Sequence, residues 1–207
     1  MSMAITDSSW MAARVVAVEA DGALIEGLQT RFADEIAKGL FLLIHGDIRT
    51  VEYQKFLTTV TNFGYRVVAN IPYYLTGELI RMFLEAKNQP TSMPLRGQQE
   101  VAERTTVRPQ PMRGKRNGKQ SILPHSVKAY GEPRYEFTVP SGAFIPAPKV
   151  DSAALSIRDI SRTRFASPAE EERFFTLIHT GFAHKRKYLR SNLPTAGLPP
   201  VGSPEKA

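Results

Sequence analysis

The chain has no cysteine among its 207 residues. Disulfides, thiolate metal sites and thiol nucleophiles are thereby excluded, and the composition fits a reducing compartment. No apolar run approaches the roughly 18 residues that a membrane span needs. The opening stretch, Met1 to Trp10, lacks the basic-then-apolar order of a signal peptide. A cytoplasmic location is expected. Histidine is sparse: His45, His125, His179 and His184 are spread out with no acid at paired spacing, and the last two stand five positions apart rather than four. No metal site is expected from them, and no P-loop, Ser-His-Asp arrangement or zinc pattern is present. Acids are outnumbered, 20 against 27 lysines and arginines, for a net charge of +7. That imbalance suggests a polyanionic partner, nucleic acid or a membrane surface.

The first half of the chain alternates two periodicities. Arg14 to Glu19 is a β-branched run that ends in an acid. From Asp21 to Ala37 the apolar residues Leu24, Leu28 and Phe32 recur every four positions, which predicts a helix. Leu40 to Ile44 reads as the next strand, closed by His45-Gly46-Asp47, and Tyr65 to Ile71 as the one after it. Leu75 to Leu84 reads as a helix. Strands alternating with helices predict a parallel sheet with right-handed crossovers.

The second half reads differently. Ser121 to Tyr130, Tyr135 to Pro140 and Val150 to Ile157 are strand-like and close together, which suits antiparallel pairing at a sheet edge. Ser167-Pro168-Ala169-Glu170 then predicts a helix start, with Ser167 as N-cap, Pro168 at the first helical position and Glu170 completing a capping box. Phe174, Phe175, Leu177, Ile178 and Phe182 are its expected apolar face. The Pro- and Gly-rich tail from Pro194 is expected to be disordered.

Asn70-Ile71-Pro72-Tyr73 falls between the Tyr65 strand and the Leu75 helix. Open α/β sheets bind ligands at that point, outside the carboxyl end of a strand. A short amide, a rigid proline and an aromatic ring there can clamp a flat, amino-bearing base. Glu19, Asp47 and Asn70 end three successive strands, and in a doubly wound sheet those positions line one crevice. An acid after an early strand can accept both hydroxyls of a ribose, and an Asp one strand on can accept from an adenine amine. A single strand-end acid reads first as an ordinary solvated residue or helix cap; the ordered trio points to a nucleoside-containing cofactor. Between Arg104 and Lys128 stand seven cations, Arg104, Arg108, Arg113, Lys115, Arg116, Lys119 and Lys128, and no acid. That run, and Lys185, Arg186, Lys187 and Arg190, suit phosphate contacts, with solvated surface charge as the plainer reading.

Several of these segments together resemble one family. Val15-Val16-Ala17-Val18-Glu19, Gly46-Asp47, Asn70-Ile71-Pro72-Tyr73 and Gly142-Ala143-Phe144-Ile145-Pro146-Ala147-Pro148-Lys149-Val150-Asp151-Ser152 occur in the order found in ribosomal RNA adenine N6-dimethyltransferases of the KsgA type. Gln99-Glu100-Val101-Ala102-Glu103-Arg104 and Phe182-Ala183-His184-Lys185-Arg186-Lys187 are also similar to that family. The resemblance runs from about Arg14 to Leu193. It implies S-adenosylmethionine as methyl donor and no metal, with Glu19 holding the cofactor ribose and Asp47 its adenine amine. Asn70 and the Ile71 carbonyl would each accept one hydrogen of the target N6, Pro72 would fix the carbonyl direction, and Tyr73 and Phe144 would stack the extruded base. Aiming the N6 lone pair is mainly a positioning problem. Arg113, Lys115, Arg116, Lys185, Arg186 and Lys187 would contact the RNA.

The chain departs from that family at identifiable places. It contains no Gly-x-Gly, the turn that lets the backbone approach the methionine part of the cofactor. The first strand, the first helix and that loop are expected to be missing before Arg14. Pro94-Leu95-Arg96-Gly97 is less apolar than the family's strand, and Pro124-His125 interrupts another. The expected fold is therefore α/β, an N-terminally truncated Rossmann-like methyltransferase core over residues 14–160. An atypical segment 1–13 precedes it, and a partial helical domain 161–193 and a tail 194–207 follow. The expected function is dimethylation of adenine N6 in small-subunit (16S) ribosomal RNA on the immature subunit, by a monomer. A resistance-type methyltransferase acting on 23S RNA and a non-catalytic RNA-binding relic remain open.

Overall fold

The computed structural model of the chain describes residues 2–7, 14–52, 55, 64–106, 122–144, 147–183 and 192, and only the backbone of 2–7. Its centre is a seven-stranded sheet. In chain order the strands are β1 (Ser2–Asp7), β2 (Val15–Glu19), β3 (Phe41–His45), β4 (Tyr65–Asn70), β5 (Met93–Gln98), β6 (Glu132–Val139) and β7 (Ser152–Arg158). In space the order is β3-β2-β1-β4-β5-β7-β6. The helices are α1 (Gly22–Arg31), α2 (Ala33–Ala37), α3 (Thr76–Glu85), α4 (Gln99–Thr106), α5 (Ile122–Tyr130) and α6 (Pro168–Phe182).

The central slot of the sheet is filled, contrary to the expectation that its strand is missing. β1 lies between β2 and β4 and runs antiparallel to both, with Ala4 opposite Ala17 on one side and Val68 on the other. Without it, two strands would present unpaired backbone edges in the middle of an apolar sheet. Its direction follows from chain length. Residues 8–14 alone join it to β2, and a parallel return needs a crossover of roughly a dozen residues or more. The sheet is consequently mixed: β2–β3 and β4–β5 pair in parallel, and β5–β7 and β6–β7 antiparallel.

Residues 121–130 correct a second expectation, because they form helix α5 rather than a strand. Pro124 lies in the first helical turn, where its missing N–H would have no intrahelical partner anyway. Leu123, Val127 and Tyr130 then fall on one helical face, and Val127 and Tyr130 are fully buried. The same residues satisfy a loose strand pattern, and helical packing decided between the two. β5 forms in spite of Pro94, Arg96 and Gly97. It pairs with β7 along its length, but meets β4 only at Leu95, Arg96 and the isolated bridge at Ser92, leaving a gap around Pro94.

The core lies on one side of this sheet. Tyr65, Val67 and Ala69 of β4 point into it, with Met93, Leu95, Ala153, Leu155 and Ile157, against Leu79, Ile80, Phe83 and Leu84 of α3 and Val127 and Tyr130 of α5. The alternate residues of β4, Arg66, Val68 and Asn70, are exposed on the opposite face. α1 and α2 flank β3, where Phe32 stacks on Phe41 with centroids 4.6 Å apart. Leu24, expected on the same apolar stripe, is 47% exposed.

α6 begins as the sequence predicts. Ser167 Oγ accepts from the Glu170 N–H at 3.2 Å and Pro168 opens the helix. The returning Glu170 carboxylate accepts from Ala166, one residue before the cap. Phe174, Phe175, Ile178 and Phe182 are half-buried, whereas Leu177 is exposed. Tyr130 ties α6 to the core: its ring stacks on Phe175 at 5.4 Å and its hydroxyl donates to Glu171. Arg162 joins the same cluster, donating to Glu171 and to the carbonyls of Glu85 and Ala86 at the end of α3. Burial, then the Glu171 carboxylate, pushes the Tyr130 hydroxyl well above its ordinary pKa.

Candidate functional site

The carboxyl ends of β2, β3 and β4 bring the three predicted strand-end residues to one edge of the sheet. Glu19 is opposite His45 in the β2–β3 register, and its carbonyl accepts from Gly46 N–H at 2.9 Å. Asp47 therefore begins the loop beside it. The Glu19 side chain is 1% exposed, and its Oε1 accepts from Asp21 N–H at 2.9 Å. Asp21 in turn caps α1 through Ala23 N–H. Asp47 is held locally: its Oδ1 accepts from Arg49 N–H at 2.9 Å, and the Arg49 guanidinium grips both carboxylate oxygens. Those hydrogen bonds hold the Asp47 carboxyl down to about 2.

The β4 turn is more elaborate. Ile71 is buried and its N–H donates to the Arg96 carbonyl at 2.9 Å, continuing the β4–β5 ladder beyond the strand. Pro72 sits at φ −56° and ψ 138°, and its carbonyl accepts from Leu75 N–H to start the short 3₁₀ turn Tyr73–Leu75. The Tyr73 hydroxyl lies 3.0 Å from Ser152 Oγ at the start of β7, which fixes the turn to the far side of β5. Segment 141–144 is fastened to the same place, because Asp151 Oδ1 accepts from Ser141 N–H at 2.8 Å.

Between these two fastened segments lies a cluster of three side chains, Asn70, Arg96 and Phe144. Asn70 Oδ1 accepts from Arg96 Nε at 2.9 Å, and the Arg96 guanidinium carbon stands 4.5 Å from the Phe144 ring centroid. Asn70 and Phe144, 74 positions apart in sequence, are thus brought to one guanidinium group. The structure adds Arg96 to the residues expected at this site. Its signal is a cation in a strand whose neighbours Met93 and Leu95 are buried. Arg49 is the other addition, and its signal is its place two residues after Asp47. Tyr74, beside the turn, is 80% exposed.

The nucleoside half of the expected cofactor has acceptors of the right kind in Glu19 and Asp47. The methionine half finds no glycine turn at this edge of the sheet. β1 pairs Ser2 with Glu19 and Met3 with Ala69, so the beginning of the central strand stands at this edge of the sheet. A glycine turn following the carboxyl end of a central strand would lie at the opposite edge. Among the described residues there is no group of three metal-ligating side chains, and no helix is long and apolar enough to cross a membrane. Arg113, Lys115, Arg116, Lys185, Arg186 and Lys187 lie outside the described residues, as do His184 and the 194–207 tail.

A profile for the family described as "Ribosomal RNA adenine dimethylase" matches residues 7–199. A Ribosomal RNA small subunit methyltransferase A of Dehalococcoides mccartyi is 39% identical over 184 residues, covering 88% of this chain and 58% of that protein. The Fusobacterium nucleatum protein of the same name is 34% identical, covering 89% of this chain and 64% of its own. The chain thus spans about three-fifths of the curated relatives it matches. A dimethyladenosine transferase from Plasmodium falciparum superposes with a TM-score of 0.66 at 24% identity, over 87% of this chain and 59% of that one. The 23S rRNA methyltransferase ErmE superposes at 0.64 and 21%, over 88% and 66%. At these identities the two structures show the fold, an α/β Rossmann-like methyltransferase architecture.

Proposed function

The chain belongs to the ribosomal RNA adenine dimethylase family, and on that premise we propose that it acts on an adenine N6 of small-subunit (16S) ribosomal RNA. The observation that carries this reading is the Asn70–Arg96–Phe144 cluster at the end of β4. Asn70 Oδ1 and the Phe144 ring already contact one flat, nitrogen-rich group. An extruded adenine offers the same features, an N–H donor in the plane of a π-face. Asn70 Oδ1 and the Ile71 carbonyl accept the two N6 hydrogens, which leaves the nitrogen lone pair directed out of the base plane. Pro72 holds the carbonyl direction. Phe144 and Tyr73 offset the stacking that the base gives up on leaving the RNA.

Glu19 and Asp47 would hold the ribose and adenine amine of S-adenosylmethionine, whose sulfonium supplies an electrophilic methyl group when bound. Arg113, Lys115, Arg116, Lys185, Arg186 and Lys187 supply the backbone contacts of a structured RNA. The proposed setting is the cytoplasm, with the chain acting as a monomer on the immature small subunit. The names of the curated relatives favour the 16S substrate over the 23S one.

A second reading is favoured by the direction of β1 and by the lack of a Gly-x-Gly turn. It is RNA binding without methyl transfer. Calorimetric titration with S-adenosylmethionine, followed by transfer assays on immature small subunits, separates the two. Saturable donor binding, with transfer that falls at least 100-fold in Asn70→Ala, is the expected outcome for the enzyme. RNA binding with no donor binding supports the second reading. Full transfer by Asn70→Ala refutes the role given to the turn.

A further inference from the structure

The geometry points to Arg96 as a gate for the base site: in the free chain its guanidinium sits where the adenine would sit, and it has to leave for the base to enter. The inference rests on the assignment of Asn70 and Phe144 as the base site, and it deepens that assignment. Its grounds are stereochemical. The guanidinium is planar and delocalised, donates N–H groups in its plane, and stacks on aromatic rings. Those are the properties that let adenine satisfy an amide oxygen and a ring at once. Here Nε–H is given to Asn70 Oδ1 at 2.9 Å while the guanidinium carbon stands over the Phe144 ring, 4.5 Å from its centroid. One carbonyl-type oxygen and one ring face are therefore engaged by the chain itself.

The backbone of Arg96 is fixed whatever the side chain does. Its carbonyl accepts from Ile71 N–H, and it is in register with Asn70 across the β4–β5 ladder. The side chain is half-exposed and has somewhere to go. Asn70 and Arg96 open onto a groove of about 930 Å³ across the open face of the sheet, whose far wall carries Phe137, Ser156 and Arg158. Glu136 on that wall is paired with Arg158 and Ser156, and the exposed Asp159 also lines the groove. A displaced cation beside an extruded nucleotide is suited to its phosphate.

A site filled by its own side chain binds its ligand more weakly, by the fraction of time the site stands open. One hydrogen bond and one cation–π contact correspond to about a ten-fold reduction in apparent affinity. The test uses the full chain and adenosine, a neutral probe whose affinity does not register the loss of a positive charge. Calorimetry or NMR titration is run on the unaltered chain, Arg96→Met, Arg96→Lys, and each combined with Asn70→Ala, with folding checked by circular dichroism. The expected result is adenosine affinity about ten-fold higher in both Arg96 variants, reversed by Asn70→Ala. Lys keeps the charge and loses the planar fork, so agreement between Met and Lys identifies the guanidinium plane as the obstruction. Unchanged or weaker binding in both variants, with adenosine still lost in Asn70→Ala, overturns the gate and leaves the base site standing. Adenosine binding indifferent to Asn70→Ala in every background overturns the base site and the gate with it.

Discussion

A proline at Ala4 tests the least expected feature of the fold, the antiparallel strand in the central slot. Ala4 is an interior residue of β1, opposite Ala17 of β2 and Val68 of β4. In a strand paired on both sides, each interior N–H faces one neighbour or the other. Ala4→Pro deletes one ladder hydrogen bond, strands a carbonyl on the partner and forces the ring against the adjoining backbone. The combined cost is about 3 kcal/mol. Ala4→Gly keeps the N–H and costs roughly 0.5–1 kcal/mol. The contrast between the two isolates the ladder from side-chain packing. Against a total folding stability of about 5–15 kcal/mol, the proline removes a large share. With a urea slope of about 2 kcal/mol/M, it lowers the unfolding midpoint by about 1.5 M, and glycine lowers it by less than about 0.5 M. Far-UV circular dichroism in urea reads both. Equal midpoints for Ala4→Pro and Ala4→Gly would refute the placement of residues 2–7 between β2 and β4.

Gly131 joins α5 to β6, and a Cβ there would lie 2.8 Å from the Arg158 carbonyl and within 3.1 Å of Ile157 and Ile160. Gly131→Ala should cost about 1–3 kcal/mol in denaturant unfolding, and an unchanged midpoint would show that this turn opens readily. His125, half-buried in α5 and 5.3 Å from the Phe182 ring, is held below its ordinary pKa by desolvation and then by Lys128. Because the fold disfavours the protonated form, its effect is absent above the unfolded value of 6.5 and opposes folding as pH drops below it. Melting temperatures at pH 7.5 and 5.5 should therefore diverge more in the unaltered chain than in His125→Gln.

Much of the α/β order was legible because periodicity is local. The strands ending at Glu19, His45 and Asn70 and the helix after the Asn-Ile-Pro-Tyr turn lie within one or two residues of where their patterns predict them, and the α6 cap stands at the predicted Ser167. The misreadings share a cause. Residues 121–130 fit two periods, and burial against α3 and α6 chose the helical one. Ser2–Asp7 carries no pattern strong enough to announce a strand. It becomes one because β2 and β4 leave two edges to satisfy. At the candidate site the strand-end trio and the aromatic at Phe144 were readable as residue types at sheet-edge positions, whereas the partners of those residues were not.

The amino-acid sequence by itself determined the class of the fold, the family, and the identity of the acceptors at the strand ends, since these depend on residue type and spacing along the chain. The direction of the central strand, the grip of Arg49 on Asp47 and the seat of Arg96 between Asn70 and Phe144 were decided by tertiary structure. Each depends on which backbone edges and side chains meet after the sheet closes, and a hydrogen bond or a ring contact between distant residues has no signature in the local pattern.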